Sequence, residues 1–263
     1  MARAIKMGPS IIFEKKGKTA YVILNRPEYN NAINLEMRQG LCDAWKEIEQ
    51  DPDIWSVIVT GGERVFSTGQ DVIELAEFKK KQPTADLPLN DLNTFGANVG
   101  KPVIAAISGY CLGFGFLLTM VAGDIRIASH TAEFGMPEVK IGVPPSLGIP
   151  AYVAKCFPPA VAMELFILGN NITAEHAFRL GYVNKVVAPE DLLQTAEAYA
   201  ERINSFSPLI VKNIKEVFKK ITDPDPGAIA LSNAMCLLGR HSEDYIEGPL
   251  AFREKRKPEW KGR

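Results

Sequence analysis

Three glycines, Gly109, Gly113 and Gly115, fall between two uncharged apolar runs, Val103–Ile107 and Phe114–Ala122. The first run has the pattern of a fully buried strand, and the second is long enough for a short buried helix. Strand, glycine-rich turn and helix in that order present backbone N–H groups to whatever lies beyond the turn. The first N–H groups of a helix have no partner within it, and the helix dipole places partial positive charge there. Such a site holds an anion, or an oxygen that becomes one during a reaction.

Other chemistries fit these residues less well. Val103–Ala122 has the length of a transmembrane helix, but glycines cluster in its middle, Asp124 and Arg126 follow at once, and no second span exists. A dinucleotide fingerprint needs a third glycine, and Gly115 is followed by Phe116, Leu117 and Leu118. His130, His176 and His241 stand far apart at no metal-ligand spacing and read as structural or surface residues, so no metal is expected.

The elements that must position this turn follow from periodicity. Ile11–Lys16 and Thr19–Leu24 alternate around Gly17 as a hairpin. Asn34 caps a helix over Leu35–Gln50, with Met37, Leu41, Trp45 and Ile48 at helical spacing. Ile54–Thr60 is a buried strand, and Val65–Gly69 is a short segment ending on a glycine. Phe78–Asn90, with three lysines and two prolines, reads as a mobile surface loop. Another strand is expected at Ile125–Ala128. From Ala151 the pattern turns mostly helical (Ala160–Leu168, Ala174–Leu180, Pro189–Ile203, Pro208–Ile221, Ile229–Arg240, Asp244–Arg256), with one strand at Tyr182–Val187. This order predicts an α/β fold with parallel strands joined by right-handed crossovers, then a helical piece from about Ser205.

Composition narrows the class. The chain has 263 residues, 46% of them apolar, and 30 basic against 31 acidic side chains for a net charge of −1. A nucleic-acid surface would need a basic excess, so none is expected. Cys42, Cys111, Cys156 and Cys236 form no C-x-x-C pair, and Met1–Ser10 has no apolar core of a secretory signal. Both features point to a reducing, cytoplasmic setting and no membrane anchor.

Five segments in order resemble the crotonase (enoyl-CoA hydratase/isomerase) superfamily: LNRPEYNNAIN at Leu24–Asn34, FSTGQD at Phe66–Asp71, ISGYCLGFG at Ile107–Gly115, FGMPE at Phe134–Glu138 and AFREKR at Ala251–Arg256. The resemblance implies a spiral of ββα repeats over residues 1–204. It also implies a C-terminal helical region, 205–263, that builds a homotrimer or hexamer. The implied substrate is an acyl-CoA thioester, with no cofactor beyond the coenzyme A that is part of it. The thioester carbonyl would accept hydrogen bonds from the backbone N–H groups of Gln70 and Phe114. Gln70, Asp71, Val72 and Ile73 would line thioester and pantetheine, Gly69 and Gly113 would also bind substrate, and Leu117 would help to set the acyl pocket. Arg26 and Asn31 fall in the segment that contacts the nucleotide half, mostly through backbone, and Lys255 would reach phosphates. Asp71 also reads as a turn or helix cap. The family usually has glycine where Phe114 stands, so the ring must find room, and a narrowed or reshaped acyl pocket is expected.

Hydratases of the family hold one water between two glutamates. The second is present here as Glu138, on a turn where a raised pKa would suit proton transfer near neutrality. The first position is Leu117, which can neither accept nor donate a proton. One carboxylate opposite a leucine resembles the family's mitochondrial-type isomerases, which move a double bond from 3-enoyl-CoA to 2-enoyl-CoA with a single base. Branches with an acid eight residues beyond Glu138 have no counterpart here, because that position is Ser146. Hydration of a 2-enoyl-CoA is the alternative, with other groups holding the water, and a non-catalytic acyl-CoA-binding protein is a third reading.

Overall fold

The computed structural model describes residues 3–6, 8–82, 88 and 91–263. Its main sheet begins as an antiparallel meander of β1 (Arg3–Lys6), β2 (Ile11–Lys16) and β3 (Thr19–Leu24); the β2–β3 hairpin is the one that the alternation around Gly17 predicts, and β1 was not expected. The chain then crosses over α1 (Leu35–Gln50), whose cap is the expected one: Asn34 Oδ1 accepts the Met37 N–H at 2.9 Å. It returns as β4 (Ser56–Thr60), parallel to β3.

After β4 comes α2 (Val72–Lys81), which corrects the expectation of a loop beginning at Phe78. Asp71 caps this helix, its Oδ1 accepting from Ile73 and Glu74 at 3.1 and 3.0 Å. Lys79, Lys80 and Lys81 stand in its last turn, where the helix dipole favours cations. The remainder of the expected loop, residues 83–87, 89 and 90, lies outside the described residues.

The central stretch forms β5 (Val103–Ile107), a short β6 (Tyr110–Leu112) and α3 (Gly113–Val121). Then follow β7 (Ile125–Ser129), β8 (Glu133–Gly135) and a 3₁₀ turn over Pro137–Ile141. Beyond it come α4 (Ile149–Cys156), α5 (Pro159–Leu168), β9 (Ile172–Thr173), α6 (Ala174–Arg179), β10 (Lys185–Val187) and α7 (Leu192–Asn204). The main sheet has the order β1-β2-β3-β4-β5-β7-β10 and is parallel from β3 onward.

Every residue of β4 and β5 is buried, which is what strands covered on both faces require. Alternate residues serve different layers. Val57, Val59, Val103, Ala105 and Ile107 pack with α1 and α3, whereas Ile58, Ile104 and Ala106 meet Leu192, Ala196 and Ala200 of α7. A second sheet, β6-β8-β9, was not expected. Its strands are two or three residues long, too short for an alternating pattern to register. This small sheet orders both ends of the glycine-rich turn.

The C-terminal segment forms α8 (Pro208–Thr222), α9 (Pro226–Arg240) and α10 (Glu243–Glu254). No residue of α8 is buried, and Ile214, Val217, Phe218 and Ile221 are each at least 60% exposed. α10 packs onto α2 and onto the 3₁₀ turn at 137–141. The approach is so close that a Cβ on Gly248 would overlap the carbonyl oxygen of Ile141. Among the described residues, no helix is long and apolar enough to cross a membrane.

Candidate active site

Two backbone segments meet beside the N-terminus of α3. Ser67 N–H donates to Tyr110 O (2.8 Å) and Leu112 N–H donates to Ser67 O (2.9 Å), so the 66–70 strand lies along β6. On its other side, Ile33 N–H donates to Gly69 O (2.7 Å) and Asp71 N–H donates to Ile33 O (3.1 Å). In a parallel bridge of this kind the N–H of the intervening residue, Gln70, points away from the pair. Phe114 is the second residue of α3, so its N–H is one that no carbonyl of the helix reaches. Among the described residues, neither N–H makes a hydrogen bond.

Glycine is needed at both joints. Gly69 has φ +90° and Gly113 φ +50°, in the left-handed region that favours glycine. A Cβ on Gly69 would lie 2.9 Å from Leu112 O and 3.2 Å from Phe114 N. The two free donors therefore sit on segments in direct contact, an arrangement suited to one shared oxygen.

Glu138 closes the site from the 3₁₀ turn. Its Oε1 lies against Gly113, where a Cβ would come within 2.6 Å. Its Oε2 is buried and has no hydrogen-bond partner among the described residues. Desolvation pushes the carboxyl from its usual 4.5 to about 7, and no cation opposes that shift. A buried acid balanced near neutrality can take a proton and return it.

These groups line one narrow cleft of about 50 Å³. Of the residues expected from sequence, Gln70, Val72, Gly113, Phe114 and Glu138 form its walls. Its other walls are Thr68, Leu75, Pro137, Ile141, Val143, Pro144, Pro145, Ser146 and Ile149, mostly apolar. The Phe114 ring finds its room in the core, 5.1 Å from the Phe95 ring centroid and beneath the Arg38 guanidinium at 5.2 Å.

The remaining expected residues stand away from these walls. Leu117 is fully buried in the core. Asn31 is also fully buried, and its amide is taken up by the fold: Oδ1 accepts from Arg26 N–H (2.8 Å), and Nδ2 donates to Gly61 O (3.0 Å) and Val65 O (2.9 Å). Arg26 pairs with Asp71 at 3.1 Å, linking the 24–34 segment to the start of α2. Ile73 is half-exposed on α2. Lys255 ends α10 in a left-handed conformation (φ +54°) with an exposed side chain.

Apart from Ser146, named only as a position that lacks an acid, the wall from Ile141 to Ile149 was not expected from sequence. It contains no periodicity, and only the adjacent prolines Pro144 and Pro145 signalled a fixed path. Among the described residues, no cluster of His, Cys, Asp or Glu could hold a metal ion.

Known proteins resemble this chain over nearly its whole length. A family profile described as enoyl-CoA hydratase/isomerase matches residues 14–263. A carnitinyl-CoA dehydratase of Proteus mirabilis (strain HI4320) is 36% identical over 265 residues, covering 98% of this chain and 100% of the relative. One from Escherichia coli (strain K12) is 35% identical with the same coverage. The crystal structure of a carnitinyl-CoA hydratase from Mycobacterium avium superposes with a TM-score of 0.85 at 32% identity, covering 97% of this chain and 100% of that one.

Proposed function

Because the chain belongs to the enoyl-CoA hydratase/isomerase family, we propose that this acyl-CoA enzyme is a hydro-lyase. It adds water to a 2-enoyl-CoA and removes it from the 3-hydroxyacyl-CoA. The observation that carries this reading is Glu138, with Oε2 unpartnered in an apolar cleft and Oε1 against the turn that bears the free N–H groups.

The thioester oxygen would accept from Gln70 N–H and Phe114 N–H. Ionised Glu138 takes a proton from a water as its oxygen bonds to C3. The double-bond electrons move onto the thioester oxygen, where the two donors stabilise the enolate. Glu138 then delivers its proton to C2, which restores the carbonyl and completes the addition. One such donor lowers the barrier by roughly 2.7–4 kcal/mol.

The double-bond shift suggested by Leu117 is set behind hydration, since the relatives are named for removing or adding water. Glu138 and the paired N–H groups also speak against a non-catalytic binder. The carnitinyl group of those relatives is a less suitable acyl chain here. Phe114 is the one aromatic wall among the described residues, and a guanidinium already faces its ring. A cationic acyl chain would lack the aromatic enclosure that binds such groups. An uncharged acyl chain fits Val72, Leu75, Ile141 and Val143 better.

We assign Ile73 to the pantetheine side and Arg26 and Lys255 to the nucleotide side of the substrate, as the family resemblance implies, with the buried Asn31 amide fixing the backbone of that segment. Residues 205–263 would form the oligomerisation region, since α8 has an exposed apolar face. The four free thiols suit a cytoplasmic setting. Incubating the purified protein with matched 2-enoyl- and 3-enoyl-CoA thioesters, and separating the products chromatographically, tests the assignment. Hydration faster than bond migration supports it, and migration without hydration returns the isomerase reading.

A further inference from the structure

With Leu117 in the core, a hydro-lyase reaction needs some other group to hold the water against Glu138. We propose that the hydroxyl of Ser146 does so, an inference that rests on the hydro-lyase reading.

Ser146 is 6% exposed, lines the same cleft as Glu138, and its Oγ makes no hydrogen bond among the described residues. The other hydroxyl in the wall, that of Thr68, already donates to Asn30 O at 3.3 Å and lies toward solvent. The chain between Glu138 and Ser146 also folds back on itself. Val143 N–H donates to Glu138 O (3.1 Å), and Pro144 and Pro145 then lead the backbone along the cleft to Ser146.

The local backbone is held in an unfavourable shape. Leu147 has φ +60° and Gly148 φ +69°. A left-handed leucine is uncommon, and such strain persists only where the surroundings enforce it, often at functional sites. Here α9 enforces it. Asn233 Oδ1 accepts the Gly148 N–H at 3.1 Å, and the Cys236 thiol donates to Pro145 O. Gly239 lets Pro144 approach so closely that a Cβ there would lie 3.2 Å from it. The segment is thus fixed on both sides of Ser146 by a helix that contributes nothing else to the cleft wall.

In the bound state one water O–H points to Glu138 and the other to Ser146 Oγ, which leaves an oxygen lone pair for C3. As that oxygen bonds to C3, the first O–H breaks and its proton passes to Glu138. The second O–H stays intact as the product hydroxyl. Ser146 is not consumed, and Glu138 returns its proton to C2.

The test compares two reactions in Ser146→Ala and Ser146→Thr. Hydration of a 2-enoyl-CoA requires the attacking water. Exchange of the C2 proton of a saturated acyl-CoA with deuterated solvent requires only Glu138 and the N–H pair. Ser146→Ala should lower kcat for hydration by roughly 10- to 100-fold, as expected for one lost hydrogen bond to a reacting group. Its KM and its C2 exchange should stay within a few-fold of the parent, and Ser146→Thr should recover hydration. Hydration at the parent rate in Ser146→Ala would overturn the assignment, and so would exchange falling in step with hydration. If the parent protein exchanges C2 protons but adds no water, the hydro-lyase reading fails and takes this inference with it.

Discussion

Glu138 Oε1 stands in the space that a side chain at Gly113 would need: a Cβ at position 113 would lie 2.6 Å from it. The proposed base and the turn that carries one proposed oxyanion donor are therefore a single packed unit. A shift in one moves the other. This contact places a carboxyl that titrates near neutrality beside the turn that bears the Phe114 N–H.

Gly113→Ala should accordingly disturb chemistry more than folding. The methyl group displaces Glu138 and strains a backbone held at φ +50°. The strain should cost about 1 kcal/mol of stability, while loss of the aligned base should lower kcat by roughly 10²-fold or more. Steady-state kinetics beside a denaturant melt would check this, and a variant with near-parental kcat would separate the two groups functionally.

Glu138 also sets the pH dependence. Its pKa is raised from 4.5 to about 7 by burial, so the folded protein holds this proton more tightly than the unfolded chain does. The group favours folding below pH 4.5, and that advantage is lost as pH rises to about 7. Glu138→Gln should therefore raise Tm more at pH 8 than at pH 4.5, while lowering kcat by roughly 10²–10⁴-fold. In the parent protein, kcat/KM should climb through about pH 7 as the carboxylate ionises. A flat profile there would point to a different base.

The turn was legible because Gly109, Gly113 and Gly115 interrupt two apolar runs, and the cap at Asn34 because its spacing from Met37 is local. Asp71 was legible as a helix cap, yet α2 beyond it was not, because Lys79, Lys80 and Lys81 resemble a solvated loop until their place at a helix C-terminus is known. Ser146 was marked only as a position where other branches carry an acid, and no role for its hydroxyl was legible. Its exposure to the cleft depends on Leu147, Gly148 and contacts from α9, which are distant in the chain. The inward burial of Leu117 was equally hidden, since every residue of α3 is apolar or small and the run marks no outward face.

Leu117→Glu should destabilise the fold and leave hydration no faster. Its side chain packs in the core and does not reach the cleft wall. An acid there would lack partners, costing roughly 2–7 kcal/mol by comparison with other buried polar groups. Thermal melting and hydration assays on the variant decide the matter. A stable protein with faster hydration would show that position 117 can reach the water.

Assembly should depend on α8. Ile214, Val217, Phe218 and Ile221 present an apolar surface of the kind that marks a protein interface. Light scattering should give the mass of a trimer or hexamer, and Ile214→Asp with Ile221→Asp should reduce it. A monomeric parent protein would contradict the role assigned to this face.

The central claim is that water becomes part of the product. Incubation with a 2-enoyl-CoA in ¹⁸O-labelled water, followed by mass spectrometry, reads this directly. The account predicts a 3-hydroxyacyl-CoA carrying one ¹⁸O, formed with the parent protein and nearly absent with Glu138→Gln. An unlabelled enoyl product alone, with the double bond moved and no hydroxyacyl-CoA formed, would contradict it.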